Sequence, residues 1–372
     1  MSNLKQRRSF MNRKGISICL WFMAVFCLSV VSFASRGNAA DKIPLSFATF
    51  FPQTHFHSTL NQMFADDIKK KTGGRVEITV YPGATLAPPT KTYDAVAKGI
   101  ADIGMSCPLW VAGRFPMSEV FEMPSDIPSS WVTTMVYADL FAKFPFKEYE
   151  DVHVLYLHGP GRNVLATKDT PIKKLEDLKG LKLRTSGATI DLVKAWGAVP
   201  RAMAMSEAYE CLSKGVIDGN FAVPEVLKGF KTAEVTKFVT ITPVSTSSNQ
   251  FVVMNKKKWN SLPDDIKKIF TELSKEYAEK QAMVWMYYDK TGLEYFKSLP
   301  GRQVFVIPAD QKEQWEKPAK EVLAKYLSDK EAMGLPAKEY VKAFQERVAH
   351  YIEKQPSEDQ AVKWVEQNIL KK

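Results

Sequence analysis

Three features of this chain predict an α/β protein of two similarly built lobes bridged by one long helix. A ten-residue pattern occurs twice, strands and helices alternate, and one helical period runs unbroken for about 35 residues. The repeat is Tyr93-Asp94-Ala95-Val96-Ala97-Lys98-Gly99-Ile100-Ala101-Asp102 and, 116 residues on, Tyr209-Glu210-Cys211-Leu212-Ser213-Lys214-Gly215-Val216-Ile217-Asp218. Both copies read Tyr, four residues, Lys-Gly, a β-branched residue, any residue, Asp. Each predicts a short amphipathic helix stopped by a left-handed Gly cap and followed by a short apolar strand that ends on the Asp. Two such lobes have a cleft between them, where small ligands bind.

The elements follow in order. Leu45–Phe50 reads as a strand. Ser58 or Thr59 can cap a helix carrying Leu60, Met63, Phe64 and Ile68, which ends at Gly73-Gly74. Val76, Ile78 and Val80 alternate as a second strand, stopped at Pro82-Gly83. With the helix Thr90–Lys98 and the strand to Met105 this makes βαβαβ, the pattern of a parallel sheet. Strands His153–Leu157 and Asn163–Thr167 flank Gly159-Pro160-Gly161, the expected crossing into the second lobe. There, Leu181–Arg184 is a strand, Ala188–Trp196 a helix and Ser206–Ser213 the second capped helix. Gln250–Met254 is a strand expected to return to the first lobe. Pro263 at a helix start, with Asp264 and Asp265 in the first turn, opens the long helix, whose apolar face runs from Ile266 toward Phe296. At ~1.5 Å per residue it spans roughly 50 Å, enough to bridge both lobes. The remainder to Lys372 reads as polar helix. The expected division is 1–40 as signal peptide, 41–161 with 250–290 as lobe I, and 162–249 with 291–372 as lobe II.

The formal charge of +10 over 372 residues suggests a polyanion partner, but its distribution argues against one. Six cations and no acid precede residue 40, and without them the charge is +4. The remaining lysines alternate with acids on helix faces, and no nucleic-acid module is present in the sequence. Lys5–Lys14 is a basic region, Gly15–Ala34 is apolar, and Gly37-Asn38-Ala39-Ala40 offers small residues for cleavage, which together predict an export signal. Gln6-Arg7-Arg8-Ser9-Phe10-Met11 partly matches a twin-arginine signal, and the apolar stretch suits the general secretory route equally. The mature chain is expected to be exported and soluble. Cys107 and Cys211, one per expected lobe, are read as free thiols, because a bond across the cleft would lock it.

Sequence signals for catalysis are sparse. There is no dinucleotide or phosphate-binding glycine loop and no nucleophile elbow. His55-x-His57 lacks the spacing of a helical zinc site and has no nearby third ligand, so no metal and no cofactor is expected. Arg184 is different. It ends a predicted parallel strand and precedes Gly187 and a helix, at the strand edge where open α/β sheets hold ligands. A guanidinium there can grip a carboxylate through two parallel hydrogen bonds. A surface ion pair is the ordinary alternative, as it is for Arg162 beyond the Gly-Pro-Gly crossing.

Here the chain resembles the extracytoplasmic solute-binding subunits of tripartite ATP-independent periplasmic (TRAP) transporters, over about residues 42–355. The resemblance rests on Tyr81-Pro82-Gly83, Gly113-Arg114-Phe115-Pro116 with Met123-Pro124, and Leu178-Lys179-Gly180-Leu181-Lys182-Leu183-Arg184. It rests further on Met205-Ser206-Glu207-Ala208-Tyr209, on Lys214-Gly215-Val216-Ile217-Asp218-Gly219, and on the long helix. It implies a two-lobe, class II-like periplasmic binding protein fold. It also implies that Arg184 grips the ligand carboxylate and that Arg162 assists. The implied setting is a periplasmic monomer that passes a small organic acid to the small and large integral-membrane permease subunits. Polar cleft positions of the sialic-acid-binding members fall here on Phe50, Cys107, Trp110 and Ala222, with Phe221 and Met205 close by. Such a pocket suits a compact acid with an apolar body. Ordinary core packing is the alternative for these apolar residues, and Ser245–Gln250 is either a source of polar contacts or a crossover loop. An exported enzyme or a ligand-reporting subunit for a membrane sensor on the same fold are the rival functions.

Overall fold

The computed structural model describes residues 42–371 other than Ala112, Asp126, Pro145 and Phe146. The signal-peptide reading of 1–40 lies outside the described residues. The first half of the chain builds β1 (Ile43–Thr49), α1 (Phe56–Lys71), β2 (Val76–Tyr81), α2 (Thr92–Ala97), β3 (Ile103–Ser106), α3 (Ser130–Lys143) and β4 (Val152–His158). The second builds β5 (Val164–Thr167), β6 (Lys182–Thr185), α4 (Thr189–Ala195), β7 (Val199–Ala202), α5 (Met205–Ser213), β8 (Gly219–Ala222), α6 (Val226–Gly229) and β9 (Phe238–Ile241). Then come β10 (Gln250–Asn255), α7 (Lys256–Ser261), α8 (Asp264–Ser298), β11 (Gln303–Val306), α9 (Lys312–Ala332), α10 (Ala337–Ile352) and α11 (Glu358–Val365).

Two sheets result, ordered β2-β1-β3-β10-β4 and β11-β9-β5-β8-β6-β7. Each contains parallel pairs, β1 with β3 and β6 with both β7 and β8. Each is also entered by one antiparallel strand that arrives from the other sheet: β5 pairs β8 and β9, and β10 pairs β3 and β4. The return of Gln250–Met254 to the first lobe is therefore observed, and it makes that sheet mixed where βαβαβ alone predicts parallel strands.

The repeat is structural. Gly99 and Gly215 both take positive φ, +77° and +71°, as the cap requires. The two aspartates immediately precede the next strand rather than end one. Asp102 Oδ2 accepts from the Ser46 amide and hydroxyl at 2.8 and 3.0 Å, and Asp218 Oδ2 accepts from the Lys182 amide at 2.8 Å. In both lobes the carboxylate thus ties its strand to the neighbouring parallel strand. Helix α1 starts earlier than Ser58, because the His55 imidazole supplies the cap, its Nδ1 accepting from the His57 amide at 3.3 Å.

Helix α8 has the predicted 35 residues. Its first half packs on the first lobe through Phe270 and Tyr277, whose rings both lie against Phe64. Its far end places Phe296 in the second lobe with Val164, Leu227 and Val239. The segment 291–372 does not stay with lobe II as expected. Strand β11 pairs β9, but Tyr340, Val341, Phe344 and Val348 of α10 join the core of lobe I with Phe121, Val136 and Tyr137. The apolar face of α10 packs against Val136, Tyr137 and Leu140 of α3.

Candidate functional site

Ligands of α/β sheets sit beyond strand carboxyl ends, and the chain converges there. Phe50 follows β1, and Cys107 and Trp110 follow β3. Arg184 lies in β6, Phe221 and Ala222 end β8, and Met205 opens α5. All seven line one cavity of about 80 Å³. That is room for several water molecules, so the space suits a compact ligand. Phe50 and Trp110 meet edge to face with ring centres 4.5 Å apart.

Arg184 is the cavity's cation. It is 5% exposed, and burial pushes its guanidinium down to about 10. Its Nε and Nη2 both donate to the Met203 carbonyl at 3.1 Å, and Nη2 also reaches Ser186 Oγ at 3.4 Å. One edge of the guanidinium is thereby pinned, which leaves the Nη1–Nη2 edge for a two-pronged contact. Among the described residues no acid forms an ion pair with it. A buried cation normally has such a partner, because leaving it without one is costly. Burial also pushes the Cys107 thiol well up, an effect opposed by Arg184 beside it.

Arg162 does not line the Arg184 cavity. Its side chain lines a different cavity, with Pro128, Pro224 and Asp289, and its Nη2 donates to the Thr242 carbonyl at 2.6 Å. The next residue, Asn163, lines the Arg184 cavity instead. Side chains alternate along extended backbone, so a one-residue offset decides which face a group serves. Arg162 and Asn163 thus strengthen the crossing. The Asn163 amide donates to Thr246 O at 2.9 Å, and Ser247 Oγ donates to Pro160 O at 2.8 Å. The Ser245–Gln250 stretch is accordingly a crossover loop that also contributes Ser247, Ser248 and Gln250 to the cavity wall.

Several lining residues carried no sequence signal: Phe51, Asn163, Glu225, Phe230 and Trp285. Glu225 was the most findable, a lone acid in the apolar run Phe221-Ala222-Val223-Pro224-Glu225-Val226-Leu227. His55 Nε2 lies 2.9 Å from Glu225 Oε1 across the lobes, each side chain 1% exposed. The lobes are joined a second time where Glu122, buried in lobe I, accepts from the Ala188 amide at the start of α4. Burial pushes the Glu122 carboxyl up to about 8, and Glu119 adds to the rise. Beyond Trp110 and Ser186 a wider cavity of about 560 Å³ is rimmed by Glu119, Glu122, Asp191 and Asp329 against Lys325, a poor surface for an anion.

Comparison with known proteins identifies the family and the fold. The model of bacterial extracellular solute-binding protein family 7 (DctP) matches residues 47–330. The chain is 26% identical over 265 residues to the 2,3-diketo-L-gulonate-binding periplasmic protein YiaO of Escherichia coli K12, covering 69% of this chain and 79% of that protein. Among solved structures it resembles a TRAP solute-binding protein from Rhodoferax ferrireducens in complex with copurified benzoate. That match has 26% identity and TM-score 0.79, covering 84% of this chain and 99% of the other. A TRAP solute-binding protein from Desulfovibrio salexigens is 30% identical with TM-score 0.75, covering 85% and 98%. The chain belongs to bacterial extracellular solute-binding protein family 7, the DctP family, and its fold is that of the TRAP solute-binding proteins.

Proposed function

We propose that this solute-binding protein captures a compact organic acid between its lobes, with Arg184 on the carboxylate, and delivers it in the periplasm to the membrane subunits of a TRAP-type transporter. One observation carries the reading: a buried arginine without an acidic partner lines a cavity whose other walls are mostly aromatic and aliphatic. An incoming carboxylate supplies the missing counter-charge in a site shielded from water, where such a contact is strong. Family membership alone does not choose the acid, since YiaO is named for a sugar-derived acid and the Rhodoferax ferrireducens protein holds benzoate. The lining favours the second kind. Phe50, Trp110, Met205 and Phe221 leave little to pair with hydroxyls, so a long polyhydroxylated chain has mainly the polar part of the wall, such as Glu225 and Gln250, to satisfy it, and each buried unpaired hydroxyl costs ~1–3 kcal/mol.

With Arg162 outside the cavity, the case for a second carboxylate weakens, so C4-dicarboxylates rank below monocarboxylates. Binding rather than catalysis fits Cys107, whose thiol burial holds protonated, the opposite of what an attacking thiolate needs. Export with a cleaved signal peptide is part of the proposal, supported by the charge and hydropathy pattern of 1–40. A thermal-shift screen of organic acids tests the ligand class. Small aromatic, 2-oxo or 2-hydroxy acids should stabilise the protein most, and stronger stabilisation by uronic or sialic acids would contradict the reading.

A further inference from the structure

The cavity lining carries two chemically different kinds of polar group. Arg184 and the Trp110 indole N–H, which has no hydrogen-bond partner, are donors. Glu225 is the opposite. Its backbone is fixed by donation from its amide to Asp289 Oδ1 at 3.0 Å, and its Oε1 is engaged by His55 Nε2 at 2.9 Å. Its Oε2 is buried without a partner, although Glu225 lines the cavity. The amide oxygen of Gln250, another lining residue, is likewise unpartnered. A buried carboxyl oxygen without a donor is costly, so each such case asks for a reason.

Aromatic rings line the same cavity and gather about His55, the partner of Glu225. Phe51 stacks on His55 with ring centres 4.4 Å apart, Phe230 lies 5.4 Å from the same imidazole, and Trp285 closes in 6.1 Å from Phe51. Such walls accept a ring edge or face, and an unpaired carboxyl oxygen beside them accepts a hydrogen bond. We propose that Glu225, oriented by His55, is a specificity-determining residue that takes a hydroxyl donor on the ring of an aromatic acid, so that the preferred ligands are hydroxylated aromatic monocarboxylates. This deepens the carboxylate reading and rests on it. The two oxygens of Glu225 divide the work: Oε1 joins the lobes through His55, and Oε2 reads the ligand.

The test compares phenylacetate with 3- and 4-hydroxyphenylacetate by titration calorimetry on the full mature protein. Satisfying a buried carboxyl oxygen that otherwise has no partner predicts that at least one hydroxy isomer binds about 10- to 100-fold tighter than the parent. In Glu225→Leu that ratio should collapse to about 1, and in Glu225→Gln it should be partly kept. The ratio is the readout because loss of the His55 contact weakens all three acids alike. Equal affinity of parent and both hydroxy acids for the unmodified protein overturns the proposal, as does a ratio that survives in Glu225→Leu. Binding of aliphatic 2-oxo acids with none of the three aromatic acids overturns it too, while leaving the carboxylate reading intact. Failure of every acid to bind removes that reading as well.

Discussion

Replacing Arg184 with Met separates the site's function from the protein's stability. The fall of the guanidinium from 12.5 to about 10 corresponds to roughly 3 kcal/mol spent on keeping the charge out of water. Methionine fills much of the same space without that cost, at the loss of two hydrogen bonds to Met203 O, each worth about 1 kcal/mol or somewhat more. The ligand-free variant should therefore melt at or slightly above the parent temperature. Ligand binding should behave in the opposite way. Loss of a two-pronged charged contact of ~2–5 kcal/mol weakens affinity roughly 30- to several-thousand-fold. At 100 times the parent Kd, ligand stabilises the parent by about 2.7 kcal/mol, or roughly 4 °C for a chain of this length. The same concentration should shift the variant by about 1.3 °C at most. Differential scanning calorimetry with and without ligand reads both effects. A variant that keeps the ligand-induced shift would refute the role given to Arg184.

Three further outcomes follow from the lobe contacts and the corrected site. Glu122 is held near 8 in the folded protein, well above its unfolded value, so the folded state binds the extra proton. Its contribution is fully present below about pH 4.5 and is lost as pH rises toward 8, at up to ~1.4 kcal/mol per pH unit. Glu148, pushed up to about 7 by burial, acts in the same direction. The melting temperature of Glu122→Gln should thus exceed the parent's at pH 8 and match it near pH 5, and parallel pH profiles would count against the assignment. Gly187→Ala should cost about 1–3 kcal/mol in urea denaturation, because φ is +61° and the new methyl would overlap Glu122 Oε2; unchanged stability would show that the contact yields easily. Arg162→Ala should lower ligand affinity no more than a few-fold by calorimetry, since its guanidinium holds Thr242 O outside the cavity, and a loss like that of Arg184→Met would return it to the site.

Much of this architecture is written in local signals. The long helix is legible because Pro263, Asp264 and Asp265 mark its start and an apolar face persists to Phe296. Arg184 is legible because a Lys-Gly turn and an alternating strand place it at a carboxyl end. What escapes is parity and long-range pairing. Nothing local says whether Arg162 or Asn163 faces the cavity, since the turn at Pro160-Gly161 sets the phase. Strand β11 follows a helix end in a polar region, and its burial pattern shows no fully buried residue, so only its pairing with β9 identifies it. The destination of α10 depends on α3, about 200 residues earlier. His55 and Glu225 are 170 residues apart, and each alone reads as a polar residue near a helix start.

The central claim is that the cavity recognises a carboxylate through Arg184. The most direct measurement is calorimetric titration of the purified protein with an aromatic acid and with its uncharged amide, for instance benzoate and benzamide. The two share their ring and nearly their shape, and differ in the charge offered to the Nη1–Nη2 edge. The acid should bind with measurable affinity and the amide at least about 30-fold more weakly, following the ~2 kcal/mol lower bound for the charged contact. Equal affinity for acid and amide would contradict the account.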